Sequence, residues 1–426
     1  MNGSNPPFQE WISSEPWKRF KSIGVTGLKG SSKAYLLSLW RETGTGPLLV
    51  IVPSIQKAES LAEDLRFFSA GGNVTSLLFP PWETLPYDEI PPHPEIIRER
   101  VKSLHSLMNG EEKVIILSPV RALMQKVLSP ADLKRSIFPL QTDEEVGRED
   151  LVHFLQENGF ASARVVEEPG DFSLRGAIID IYSPSYREPL RLEFDGDRLS
   201  SIRWFDPENQ RSLPESGMKS ALLLPSRDIS KDLFAQPSGS LFDYLRGETV
   251  LFIEESDEVE KEAAAFSRSI DEHYKKALSK KRSVLPPDLL YLRDEELAQR
   301  LKRFRSVHLQ EGPVAPPACE QIHAFETEPN DDLRREMNAL LAAEKGAPEA
   351  SPFSLFLKRV LEWQGKEMKV IVVSHTPGQA ERLKELFSHY EVAYQFEGES
   401  GLPKALGRPP AGIILTTLPN STNLIR

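Results

Sequence analysis

The sequence predicts a multidomain α/β protein, in which a parallel-sheet domain is interrupted by a small α+β domain and followed by a further α/β domain. Three observations carry this. Apolar runs of the doubly buried kind alternate with helical stripes near both ends of the chain, as in a parallel sheet covered by helices. Closely spaced alternating strands fill the middle. The length, 426 residues, exceeds what one ordinary core organises.

Taken in order, Leu48 to Val52 is a continuous apolar run, and Ala58, Leu61, Leu65 and Phe68 follow at helical spacing. Val74 to Leu78 and Val114 to Leu117 extend the pattern. After Ser129 a short amphipathic helix (Leu151, Phe154, Leu155) precedes four strands, Gly176 to Tyr182, Pro189 to Phe194, Leu199 to Phe205 and Ala221 to Leu224. Turn signals separate them, including Asp195-Gly196-Asp197, so an antiparallel sheet is expected. The α/β style returns with Thr249 to Ile253 and a charged helix over residues 257–281. The proline-rich stretch from Gly312 to Pro317 reads as a linker. Met368 to Val373, a helix opened by Thr376, and Gly412 to Thr416 form the last unit. The expected segments are 1–130, 131–226, 227–311 and 312–426, with the last unit cut by the end of the chain at Arg426.

A formal charge of −11 argues against a broad grip on nucleic acid through its phosphates. Apolar runs are too short to cross a membrane, and the polar first ten residues are unlike a signal peptide. A single cysteine, Cys319, fits a reducing compartment, and the chain is read as cytoplasmic. The eight histidines lie at no metal-ligand spacing, so no metal is expected.

One segment resembles a phosphate-binding loop. Gly27-Leu28-Lys29-Gly30-Ser31-Ser32-Lys33-Ala34 matches G-x-x-x-x-G-K-[ST] at its first glycine and its lysine. Ser32 replaces the second glycine, and Ala34 replaces the hydroxyl that would ligate Mg²⁺. The expectation is a degenerate loop kept for packing, with Lys33 on the surface and no second metal-positioning acid at the end of an apolar run. The charged stretch Glu254 to Arg282 reads as a solvated helix face. In Leu190-Arg191-Leu192-Glu193-Phe194-Asp195 strict alternation places Arg191, Glu193 and Asp195 on the solvent side. A hairpin can bring Arg175 onto the same surface as Arg191. Such a pair either anchors a partner or keeps the face soluble by pairing with Glu193.

Longer stretches bear a family resemblance. Phe79-Pro80-Pro81-Trp82-Glu83-Thr84-Leu85-Pro86-Tyr87-Asp88, Pro92 to Arg100, Val166 to Gly176, Arg191-Leu192-Glu193-Phe194 and Phe205-Asp206-Pro207 resemble the N-terminal region of bacterial transcription-repair coupling factors (Mfd). This implies a degenerate helicase-like domain similar to that of the repair helicase UvrB, interrupted by a UvrA-binding domain. It also implies UvrA as partner, through Arg175 and Arg191, with Asp195 standing where the family has an aromatic. No cofactor is expected in this chain. ATP and Mg²⁺, and contacts to RNA polymerase and DNA, would belong to family domains beyond residue 426. The alternative reading is a nucleotide-binding or DNA-unwinding enzyme of the UvrB kind.

Overall fold

A computed structural model describes residues 8–43, 47–69, 75–88, 90–111, 113–228, 239–329, 331–343, 352–366, 368–398 and 412–417. The expected break at Arg426 lies outside them. In chain order the strands are β1 (Ser22–Thr26), β2 (Leu48–Val52), β3 (Thr75–Leu78), β4 (Val114–Pro119), β5 (Phe138–Gln141), β6 (Ala161–Ser162), β7 (Asp171–Arg175), β8 (Ile178–Ile181), β9 (Leu190–Asp195), β10 (Arg198–Phe205), β11 (Ser212–Met218), β12 (Ser220–Leu223), β13 (Val250–Glu254), β14 (Arg305–Leu309), β15 (Gln321–Ala324), β16 (Lys369–Ser374), β17 (Tyr394–Phe396) and β18 (Gly412–Thr417).

Seven of these form one all-parallel sheet in the order β15-β1-β14-β13-β2-β4-β3. The apolar run of β2 explains its central place, because every one of its residues is buried. Leu49 and Ile51 join a core with the helices Pro94–Asn109 and Ser256–Ser279, while Leu48, Val50 and Val52 join another with Ser32–Thr43 and Ile55–Ser69. A strand apolar on both faces is thus sandwiched between two helical layers.

Between β4 and β13 the chain builds a second unit. Strands β6 to β11 form a six-stranded sheet in the order β11-β10-β9-β8-β7-β6, antiparallel except where two-residue β6 pairs with β7. Phe172, Ile179, Ile181, Leu190, Leu192 and Phe194 turn to one side and pack on Leu151 and Leu155 of the helix Arg148–Glu157. At its root the Leu128 amide donates to the Asp228 carbonyl at 2.7 Å, and Arg100, fully buried, pairs with the Asp228 carboxylate.

The proline-rich stretch corrects the expected segmentation. Residues 312–317 do not lead away from the first sheet. The Ala315 side chain lies so close to Gly24 that a Cβ there would meet it at 2.5 Å. The following strand, β15, pairs with β1 as the sheet's outermost member. Gln321-Ile322-His323-Ala324 carries a single large aliphatic residue, too weak a pattern to read as a strand. In the last unit β16, β18 and β17 form a parallel three-stranded sheet. Thr376 caps the helix Pro377–His389, accepting from the Gln379 amide at 3.2 Å. No helix among the described residues is long and apolar enough to cross a membrane.

Candidate functional site

Two places hold the residues singled out in the sequence. The first is the carboxyl end of the seven-stranded sheet, where β1 runs into the loop Gly27 to Ser31 and the helix Ser32–Thr43. Parallel sheets place ligands at this end, and a phosphate loop would offer its backbone N–H groups there. Here other segments of the chain have taken the first three of them. The Gly27 amide donates to the Gly312 carbonyl at 3.2 Å and the Leu28 amide to the Gln310 carbonyl at 3.0 Å. The Lys29 amide donates to Thr327 Oγ1 at 2.7 Å, and that hydroxyl donates to the Gly27 carbonyl at 2.7 Å. Gly27 has φ +76°, and a Cβ there would lie 1.9 Å from the Phe325 carbonyl oxygen. The glycine is therefore required by the chain's own segment crossing the loop.

Lys33 is not on the surface, contrary to expectation. Its side chain is 4% exposed, and Nζ lies 2.5 Å from Glu254, 3.0 Å from Glu311 and 3.5 Å from Glu255. Burial alone would depress its pKa, but Glu254 and Glu311 more than compensate and hold the ammonium above its ordinary value. Ala34 is fully buried beside it. The carboxylates come from the ends of β13 and β14. Val250 to Ile253 is an apolar run that ends in Glu254-Glu255, so an acid does follow an apolar run, contrary to the expectation. Glu254 is buried and not part of a solvated helix face. Glu255 holds φ +47°, a left-handed conformation that is unusual for a residue with a Cβ. Its carboxylate accepts the Glu311 amide at 2.8 Å. Three carboxylates outnumber the Lys33 ammonium and Lys57, which also acts on Glu311, so the surroundings are a poor host for a polyphosphate.

Next to this lock, His308 is half-buried between Ser256 Oγ, 2.6 Å from Nδ1, and Ser306 Oγ, 3.0 Å from Nε2. Burial pushes its pKa down to about 4. The folded chain then binds fewer protons here than the unfolded chain. The stabilisation is complete above the ordinary histidine value of about 6.5 and fades as pH falls toward 4. Urea unfolding across that window should show a loss of roughly 2–4 kcal/mol that is absent in His308→Gln.

The second place is the outer face of the six-stranded sheet. Register opposes Arg175 to Ile178 and Ile178 to Glu193, and opposes Ser173 to Asp180 and Asp180 to Arg191. Arg175 and Arg191 therefore share this face, in adjacent rows. Arg175 is exposed, with one hydrogen bond to the Arg164 carbonyl at 3.3 Å. Arg191 departs from expectation: it does not stand in water, being only 14% exposed. Its Nε and Nη2 donate to both oxygens of Asp180 at 2.8 and 2.9 Å, and Nη1 donates to the Gln210 carbonyl at 3.2 Å. The guanidinium also lies 4.7 Å from the centre of the Phe205 ring. Glu193 pairs instead with Arg203, at 3.3 Å, which stands directly across the ladder from Arg191. Asp195 is exposed at the strand end, opposite Arg198. Asp180 and Arg203 were missed in the sequence. The polar Asp180 between Ile179 and Ile181 was the available signal for the first.

Comparison with known proteins bears on the unit that carries this second face. Residues 138–228 match the family described as the UvrB interaction domain. The chain is 26% identical to the transcription-repair-coupling factor of Myxococcus xanthus, in a match that covers 88% of this chain and 35% of that protein. It is 25% identical over 413 residues to that of Escherichia coli K12, covering 86% and 34%. It is 30% identical over 190 residues to that of Bacillus subtilis 168, covering 44% and 16%. The chain thus spans about a third of the length of the first two of these relatives.

Proposed function

We propose that this chain, a relative of the transcription-repair-coupling factors with a UvrB interaction domain at its centre, recruits the excision-repair protein UvrA and performs no nucleotide chemistry itself. The observation that carries the reading is the placement of Arg175 and Arg191 on one face of the sheet that residues 138–228 build. Arg175 is exposed and offers a fork of donors to carboxylates or carbonyls of the partner. Arg191 is pre-set by Asp180, so presenting its outer edge costs little further ordering. Asp195, at the rim, adds an acceptor in place of an apolar contact.

The filled phosphate loop supports the second half of the proposal. ATP and Mg²⁺ have no role in this chain on this reading, and translocation on DNA and displacement of RNA polymerase belong to the remainder of such a factor. The compartment proposed is the cytoplasm, where lone Cys319 stays reduced. Calorimetric titration of UvrA with Arg175→Ala/Arg191→Ala tests the docking face. The expected loss is roughly 2–4 kcal/mol. Wild-type affinity in that variant would remove Arg175 and Arg191 from the docking surface.

A further inference from the structure

The carboxyl edge of the seven-stranded sheet is filled only in part. Around β1, β13 and β14 the lysine lock and the crossing segments occupy it. Beyond the ends of β2, β3 and β4 it opens into a groove of about 440 Å³. Its floor is apolar, built by Ile55, Leu78, Pro80, Trp82, Ile96 and Phe266. Leu85, 57% exposed, lines the same groove from the strap between β3 and the helix Pro94–Asn109. An exposed leucine next to an apolar floor is the kind of surface that a partner covers.

The charges choose the partner. Glu59, Glu83, Glu95 and Glu99 line the groove, and among the described residues Arg121 is the one cation that lines it. That guanidinium is held by Glu262 at 2.9 Å. Arg98 spans Glu95 at 2.5 Å and Glu99 at 3.5 Å. Five carboxylates therefore face two guanidinium groups, both already paired, and the Lys102 ammonium, which interacts with Glu99 and Glu95 and leaves Glu59 and Glu83 uncompensated. Glu59 and Glu83 are exposed and make no ion pair with any described residue. Such a rim repels a phosphate backbone and attracts cations.

We propose that this groove docks a cationic apolar peptide segment of a protein partner. One aliphatic or aromatic side chain enters over Trp82 and Phe266, Leu85 covers it, and flanking Lys or Arg meet Glu59 and Glu83. This surface is separate from the UvrA face and does not depend on it.

The test is calorimetric titration of the whole chain with three synthetic peptides of about twelve residues. They carry Leu throughout, with Lys, Gln or Glu at the alternate positions. The Lys peptide should bind at least about tenfold more tightly than the other two, and raised salt should weaken it. Glu59→Lys/Glu83→Lys, and separately Leu85→Asp, should each cost about tenfold. The same charge change placed elsewhere, Glu385→Lys/Glu391→Lys, should cost nothing, and thermal melts report whether each variant is folded. UvrA affinity should be unchanged in the groove variants, which separates this proposal from the docking face. Four results would overturn it: equal affinity for the Lys and Glu peptides, preference for a single-stranded oligonucleotide, wild-type affinity in both groove variants, or a dimer of this chain abolished by Leu85→Asp.

Discussion

Replacing Lys33 with Met should destabilise the parallel-sheet domain by about 3–5 kcal/mol, the cost of leaving a buried carboxylate without its partner. In a working phosphate loop the same change would spare stability and abolish nucleotide binding. Here the order is reversed, because the ammonium is a counter-charge for Glu254, whose side chain is 6% exposed, and for the partly exposed Glu255 and Glu311. Lys33→Met should also leave the calorimetric response to Mg-ATP as flat as in the parent chain. The pH dependence has a definite sign. Glu254 and Glu311 raise the folded pKa of Lys33 above that of the unfolded chain. Its contribution is then complete below the ordinary lysine value of about 10.4 and is lost only as pH climbs through the raised value. A single-site Glu311→Gln removes the most exposed partner and should cost far less than Glu254→Gln. Unchanged urea stability in Lys33→Met, or a binding isotherm for Mg-ATP that the substitution erases, would return the loop to nucleotide chemistry.

The layered architecture was legible in the sequence because β2 and β4 are short apolar runs and β9 alternates strictly, and both periods report burial directly. The face that Arg175 and Arg191 share was legible for the same reason: alternation fixes which side of the strand Arg191 occupies. It does not fix what stands across the ladder, since a neighbour depends on register, and register is set by turns remote from the residue. Asp180 and Arg191 are eleven positions apart and meet only because β8 and β9 pair as they do. The lysine lock needed still longer reach, from Lys33 to Glu254 and Glu311, positions joined only by the strand order β1-β14-β13. Part of it was nonetheless in plain view, since Glu254-Glu255 closes an apolar run. Its companion Gln310-Glu311 follows Val307-His308-Leu309, where an intervening histidine interrupts the apolar signal. The resemblance to coupling factors singled out Arg175 and Arg191, and geometry changed the meaning of the second, which is fastened to Asp180.

That change in meaning yields a prediction that separates scaffold from contact. Arg191→Ala leaves Asp180, 0% exposed, without its bidentate partner, and Asp180→Ala strips the guanidinium of its main anchor. Each should cost about 3–5 kcal/mol of stability in the six-stranded unit. Each should also weaken UvrA binding, so neither single variant says which effect is primary. Arg191→Met/Asp180→Leu resolves it. Apolar replacement of a buried pair is often neutral or stabilising when volume is kept, so urea stability should return to within about 1–2 kcal/mol of the parent. If Arg191 touches UvrA, affinity stays low in this stable double variant, and adding Arg175→Ala lowers it further. Were the double variant to bind as tightly as the parent, Arg191 would be only a fastening between β8 and β9. The contact would then pass to the exposed guanidinium groups on the same face, Arg175 and Arg203, and Arg203→Ala in that background would be the substitution that abolishes docking.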